Sequence, residues 1–355
     1  MSFVLTPPGP RPRSIFPSTR YLGSKRKLLG LLEGVLGRLA FDTALDAFSG
    51  TGAVAYLMKS MGKAVTANDA LAANAVAARA LVANQSEALG SKAQDLVSGL
   101  PRGNEAPGFV ETEFDGIFFE RDENRFLDQI LPRVHALGGA QRDLALLALC
   151  GACLAKRPYN LFHRANLAMR RRDVPRSFGN KTTWDTPFAE LFARYAAEND
   201  AAVFDSGRAC QALRGDVLAL DPSGYDLVYL DPPYVSARGA GVDYLDYYHF
   251  LEGLCEPEGW GGRILRRYKH KPLEGRGASP WCDPCRIVAE FARAVAHFSR
   301  STLVVSYRSD GIPSLDAIAG FLKAAGKRVE VVDAGSYTYA LSRNRASREV
   351  VLVGT

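Results

Sequence analysis

A chain of 355 residues with 47% hydrophobic and 23% charged side chains has an ordinary globular composition, which excludes a fibrous or disordered protein and leaves room for one large α/β domain plus a smaller one. The net charge of +6 leans toward a polyanionic partner without requiring one. The longest apolar stretch, Leu144 to Ala155, is too short to span a bilayer, and the N-terminus lacks a signal-peptide core; a cytoplasmic protein with no membrane partner is expected.

Residues 1–18 carry Pro7, Pro8, Pro10, Pro12 and Pro17 with Arg11 and Arg13, and read as a flexible basic arm. Arg20 to Lys25 leads into a helix from about Lys27 to Leu39. A strand from Thr43 to Phe48, the turn Ser49-Gly50-Thr51-Gly52 and a helix from Ala53 to Met61 form a first β-turn-α unit. The next strand, Ala64 to Ala67, ends at Asn68-Asp69 before an alanine-rich helix from Leu71 to Asn84. From about Ser86 to Gly207 the alternation lapses into helical pieces and a basic loop, a candidate second domain. It resumes near Cys210 to Asp216, passes through the apolar run Tyr225 to Leu230, and ends in strands at Ser301 to Ser306, Arg328 to Val332 and Glu349 to Val353.

Six cysteines include two CxxC pairs, Cys150/Cys153 and Cys282/Cys285, which raise the question of zinc. No further His or Cys surrounds either pair at finger-like spacing, and Cys150 and Cys153 fall in a buried-helix pattern where small thiols act as apolar filler, so no metal is expected.

A continuous apolar run such as Tyr225 to Leu230 suits a strand buried on both faces of a parallel sheet, whose carboxyl end opens onto the ligand crevice. That end carries Asp231-Pro232-Pro233-Tyr234. The two prolines stop the sheet and leave the carbonyl before Pro233 free to accept. Asp231 adds a carboxylate and Tyr234 an aromatic face. Two acceptors beside a stacking surface match an exocyclic amine on a flat base; the plain alternative is a strand terminator.

Gly50-Thr51-Gly52-Ala53-Val54-Ala55 fits G-x-G-x-x-A after a strand, a nucleotide setting too common to name one ligand. Asp46 just before it would repel a pyrophosphate and suit the α-amino group of S-adenosylmethionine. Asp69 is placed to accept ribose hydroxyls, or to cap the helix that follows. Asp216 is expected to reach the same crevice and accept from the cofactor's adenine, with a turn residue as the alternative. Tyr21 and Lys25 join the site only if the N-terminal segment folds back over the glycine turn.

Tyr21-Leu22-Gly23-Ser24-Lys25, Asp46 to Gly52, Asn68-Asp69 and Asp231 to Tyr234, in that order, resemble the alpha-class, Dam-like N6-adenine DNA methyltransferases. The resemblance covers the sheet framework, about two-thirds of the chain. It implies a Rossmann-like α/β fold with a seven-stranded, mostly parallel sheet ending in an antiparallel hairpin. Residues 19–85 and 208–355 would form the catalytic domain and residues 86–207 an inserted, largely helical target-recognition domain; Glu256 to Pro284 match nothing. S-adenosylmethionine would be the cofactor, with Tyr21 and Lys25 closing its site and Phe48, Gly50 and Gly52 lining it.

Double-stranded DNA would be the partner, a monomer would act on it, and a cognate restriction endonuclease would accompany it. The run Asp243 to Phe250 would form a lid or strand-separating element, or simply start an amphipathic helix; His249 reads as a packing residue. Basic clusters at Arg164, Arg170, Arg171, Arg172, Arg176 and Lys181, and at Arg263, Arg266, Arg267, Lys269 and Lys271, would grip phosphates or form solvated faces. RNA-adenine, cytosine-N4 or protein-glutamine methylation, and an idle DNA-binding subunit, are the alternative functions.

Overall fold

A computed structural model describes residues 16–103, 106–172, 180–336 and 347–355. Nine strands occur among them: β1 (Thr43–Asp46), β2 (Ala64–Asp69), β3 (Gln211–Arg214), β4 (Leu227–Leu230), β5 (Val235–Ser236), β6 (Thr302–Arg308), β7 (Gly311–Ile312), β8 (Val329–Ser336) and β9 (Arg348–Gly354). Seven form one sheet in the order β3-β2-β1-β4-β6-β9-β8, and β5 pairs with β7 outside it. The first five strands of that order are parallel, and β9 runs antiparallel to both β6 and β8. This is the expected Rossmann-like α/β sheet with its terminal hairpin. The run of connections reverses between β1 and β4, so the carboxyl ends of these two strands flank the crevice where an open parallel sheet binds ligands. Asp46 ends β1, and Asp231 follows β4 directly.

All four residues of β4 are buried, which is why its sequence reads as an unbroken apolar run. Between β1 and the helix Ala53–Ser60 the chain turns through Gly50 and Gly52, whose φ values of 51° and 80° are ones that L side chains rarely adopt. The alanine-rich helix after β2 runs Ala72–Ala78 and finishes in a π turn, Arg79–Ala83.

The stretch between β2 and β3 is helical among the described residues, with its longest members at Arg121–His135, Gly139–Ala155 and Phe188–Ala202. A capping box in which Glu120 and Glu123 each hold the other's backbone starts the first of these. These helices are not set apart from the sheet. Gly139–Ala155 packs on both Phe188–Ala202 and Ala72–Ala78, and one buried cluster runs from Val54 and Val76 through Leu144 and Leu149 to Phe192. The stretch after Cys255 joins it too, since buried Trp260 packs against Phe109, Phe114 and Phe250. Among the described residues no helix is long and apolar enough to cross a membrane.

Candidate active site

A cavity of about 340 Å³ opens at the carboxyl ends of β1, β2 and β4, within the usual size range for a small-molecule site. Tyr21, Lys25, Asp46, Phe48, Gly50, Asp69, Asp231 and Pro233 line it. The N-terminal segment does fold back over the glycine turn: Ser24 Oγ lies 3.4 Å from Thr51 Oγ1, Asn74 Nδ2 donates to the Tyr21 hydroxyl at 2.9 Å, and the Leu22 amide donates to the Tyr248 hydroxyl at 2.7 Å. The Tyr21 ring stacks on Tyr248 with centroids 4.2 Å apart. Gly23 is confined by the same closure, because a Cβ there would lie 2.5 Å from the Tyr244 hydroxyl.

Asp46 is buried at 1% exposure. Its Oδ2 accepts from the Ala55 amide at 3.0 Å, while its Oδ1 has no hydrogen-bond partner among the described residues. Burial, then the charge of Asp231, raises its carboxyl to about 8. A buried acceptor without a donor is costly in a folded protein, and Asp46 is one of the residues that line the cavity. Asp69 accepts from the Gly50 amide and from the Leu71 amide, each at 2.9 Å; burial raises its carboxyl, and these amides oppose the rise. It therefore ties the glycine turn to the start of the next helix while lining the cavity. That helix takes its main cap from Glu252, which accepts from the Ala72 and Ala73 amides at 2.8 and 2.9 Å.

The loop after β4 carries a compact charged cluster. Lys25 Nζ lies 2.7 Å from Asp231 Oδ1 and 2.6 Å from Oδ2, and donates to the Tyr234 hydroxyl at 2.8 Å. That hydroxyl donates toward Glu349 Oε1 at 2.5 Å and lies 2.9 Å from Asp231 Oδ1. The Tyr234 ring sits edge-on to Tyr307. Burial raises the Asp231 carboxyl to about 6 against the pull of the Lys25 ammonium, and the Glu349 carboxylate adds to the rise. Tyr234, Pro232 and Gly52 are not among the residues that line the cavity.

The structure moves the expectations for Asp216 and Arg170. Asp216 is not among the residues that line the cavity, although Arg214 is; its exposed carboxylate accepts from the Leu218 amide and caps a short turn. It follows β3, at the sheet edge and separated from β4 by two strands, so nearness in sequence to Asp231 is not nearness in the sheet. Arg170 is buried, with its two terminal nitrogens on Glu123 at 2.7 Å, so it is held for structure and closed to a phosphate. Arg171 is exposed and pairs with Glu120, Arg172 is exposed, Lys181 is exposed and pairs with Asp185, and Arg176 lies outside the described residues. The tyrosine-rich run is the helix Tyr244–Cys255; Tyr244 lines the cavity, while Tyr248 and His249 are buried. His249 Nε2 lies 3.2 Å from the Phe162 carbonyl and burial lowers the ring to about 3, which makes it a packing residue rather than a base.

Five wall residues come from the stretch Glu256 to Pro284 that the resemblance does not cover, namely Arg263, Gly275, Ser279, Trp281 and Cys282; Trp281 is edge-on to Phe48 at 4.8 Å, and the Cys282 thiol donates to the Val242 carbonyl. Cys150 and Cys255 bring their sulfurs to 4.0 Å inside the helical core. From Ile264 to Leu273 the chain forms a hairpin closed by a bridge between those two residues. Its turn exposes Arg266, Arg267, Tyr268 and Lys269. Arg266 pairs with Glu113, and the Arg267 guanidinium lies over the Tyr268 ring.

Residues 21–254 match the family described as D12 class N6 adenine-specific DNA methyltransferase. That span begins at Tyr21 and takes in the glycine turn, Asp69 and the Asp231 loop. The chain is also 30% identical over 328 residues to the type II methyltransferase M2.HphI of Haemophilus parahaemolyticus, covering 90% of this chain and 91% of that one. With the sheet order, the folded-back tyrosine and lysine and the loop after β4 all in place, the chain belongs to the D12 class of N6 adenine-specific DNA methyltransferases.

Proposed function

We propose that the cavity holds S-adenosylmethionine and that Asp231, Pro232, Pro233 and Tyr234 receive an adenine flipped out of double-stranded DNA. One observation carries this reading: a buried ammonium, Lys25 Nζ, sits on the acceptors of the loop after β4. Such a place is built for N–H donors, and the exocyclic amine of adenine is one.

The cofactor would supply an electrophilic methyl sulfonium. The unpartnered Oδ1 of Asp46 fits its α-amino group, and Asp69 retains lone pairs for ribose hydroxyls. Phe48 and Trp281 offer apolar wall. On the other side, Asp231 and the Pro232 carbonyl accept from the adenine N6 hydrogens and draw that nitrogen's lone pair out of the ring toward the methyl group, while Tyr234 supplies a stacking face. Rate comes from placement and from carboxylates around the developing ammonium, with no strong base needed. Sequencing of modified bases in DNA from cells expressing the protein tests this: methylated adenines in one recurring context are expected, and methyl groups confined to cytosine or RNA would overturn it.

Residues 86–207 serve as the target-recognition region in this reading. The relative's type II designation favours a restriction-modification setting in the cytoplasm, with a nuclease reading the same sequence and the methyltransferase acting as a monomer. Phosphate grip falls to the hairpin at 264–273 and to Arg171, Arg172, Arg176 and Lys181; the exposed pair of Arg171 with Glu120 is weak enough for a phosphate to displace. Replacing Arg267 and Lys269 together by Gln is expected to weaken binding to all sequences alike and to flatten the slope of log affinity against log salt by about 0.9 for each phosphate no longer neutralised. An unchanged slope with an altered methylation context would show instead that these side chains read base edges.

A further inference from the structure

Glu349 is the second residue of the last strand, beyond the residues that match the family. It is fully buried, opposite Arg308 in the β6–β9 register, and the Arg308 guanidinium is turned onto Asp310 at 2.7 and 2.9 Å. The Tyr234 hydroxyl donates toward its Oε1 at 2.5 Å, and Lys25 Nζ lies 3.5 Å from the same oxygen. Two carboxylates thus share one ammonium and one phenol, with Glu349 fully buried and Asp231 partly exposed at the cavity wall.

On the reading of Asp231 as the acceptor for the target amine, this arrangement has a difficulty to resolve. Lys25 engages both oxygens of Asp231, so its ammonium and adenine N6 compete for the same carboxylate. A buried ammonium needs another anion or it must lose its proton. We propose that Glu349 is a positioning residue that takes the Lys25 ammonium when the target amine replaces it on Asp231, while holding the Tyr234 ring in its stacking position. A shift of less than an ångström brings the 3.5 Å separation to ordinary ion-pair length. Asp231 is then freed without a charge crossing to solvent, and a net negative charge stays beside the nitrogen as it becomes cationic.

The test is Glu349→Gln, which keeps the shape and an acceptor for Tyr234 but removes the charge. Single-turnover methyl transfer would be followed from acid to neutral pH, with calorimetry of S-adenosylmethionine binding and a melting curve alongside. The groups that face Asp231 are Lys25, Tyr234, Glu349, Asp46, Tyr229, Tyr244 and Tyr307. Of these only Glu349 changes, so the acid limb should move to lower pH, since a carboxylate that repels the Asp231 charge is gone. The rate at its plateau should fall about 10- to 100-fold, with cofactor affinity within a few-fold of wild type.

An unchanged rate and acid limb in a folded Gln protein would overturn the proposal, and so would parallel loss of cofactor binding and rate, which marks a merely structural role. If the Gln protein does not fold, Glu349→Asp decides. That variant should keep the wild-type acid limb at a reduced rate, and a displaced limb would count against the proposal. An active Asp231→Asn protein would instead remove the reading of Asp231 itself, so the two failures are separable.

Discussion

The Asp231→Asn protein is expected to bind S-adenosylmethionine within a few-fold of wild type and to transfer methyl groups at least about 10²–10³-fold more slowly, the usual loss when a group aimed at developing charge is removed. An ionised carboxylate only accepts, whereas the amide places N–H donors where the target amine presents its own. The fold should survive, because Lys25 keeps Glu349 3.5 Å away as a counter-ion. Asp231→Ala should be equally inactive. Wild-type transfer should also fall as the pH drops through about 6, where the raised Asp231 carboxyl takes up its proton. Tritiated-methyl transfer measures both effects. Substantial activity in the Asn protein, or a rate that stays flat well below that pH, would remove Asp231 from the chemistry.

Much of this site is legible in the sequence because parallel strands bury both faces and end in the crevice. The run Tyr225 to Leu230 could hardly be anything but a central strand, so the residue after it had to face the ligand side. The terminal strands were legible for the same reason, but Glu349 was not recognisable as part of the site. It reads as the polar start of an edge hairpin, and only the antiparallel return of β9 against β6 brings it to Tyr234 and Lys25. Asp216 differs in the opposite direction, since chain order places it near Asp231 and sheet order sets two strands between them. Charge runs mislead similarly. Arg170, Arg171 and Arg172 look equivalent in sequence, yet a helical turn carries the first inward onto Glu123 and leaves the other two exposed. The lapse in alternation after Ser86 suggested a separate body, whereas the alanines of Ala72–Ala78 let Gly139–Ala155 pack directly on them, joining the helical stretch to the sheet's own core.

Binding of S-adenosylmethionine is expected to release up to about one proton from Asp46 near neutral pH. Without a ligand, burial and the neighbouring Asp231 hold the Asp46 carboxyl at about 8, so it is mostly protonated at pH values below that. The sign follows from the linkage. An acid whose folded value is raised favours folding while protonated, and this contribution is lost as the pH climbs from the ordinary carboxylate range toward 8. A cationic amine placed against Oδ1 reverses the preference, lowers the carboxyl and expels the proton, so affinity should increase with pH until the unliganded carboxyl is itself ionised. Calorimetry at about pH 6.5 in two buffers of different ionisation enthalpy counts the proton directly. Asp46→Asn should weaken binding by about 1–3 kcal/mol, the loss of a charge-assisted hydrogen bond, and should make the heat independent of buffer. A buffer-independent heat in the wild-type protein would mean that the amine is held elsewhere, and Asp46 would then serve only to anchor the helix Ala53–Ser60 through the Ala55 amide.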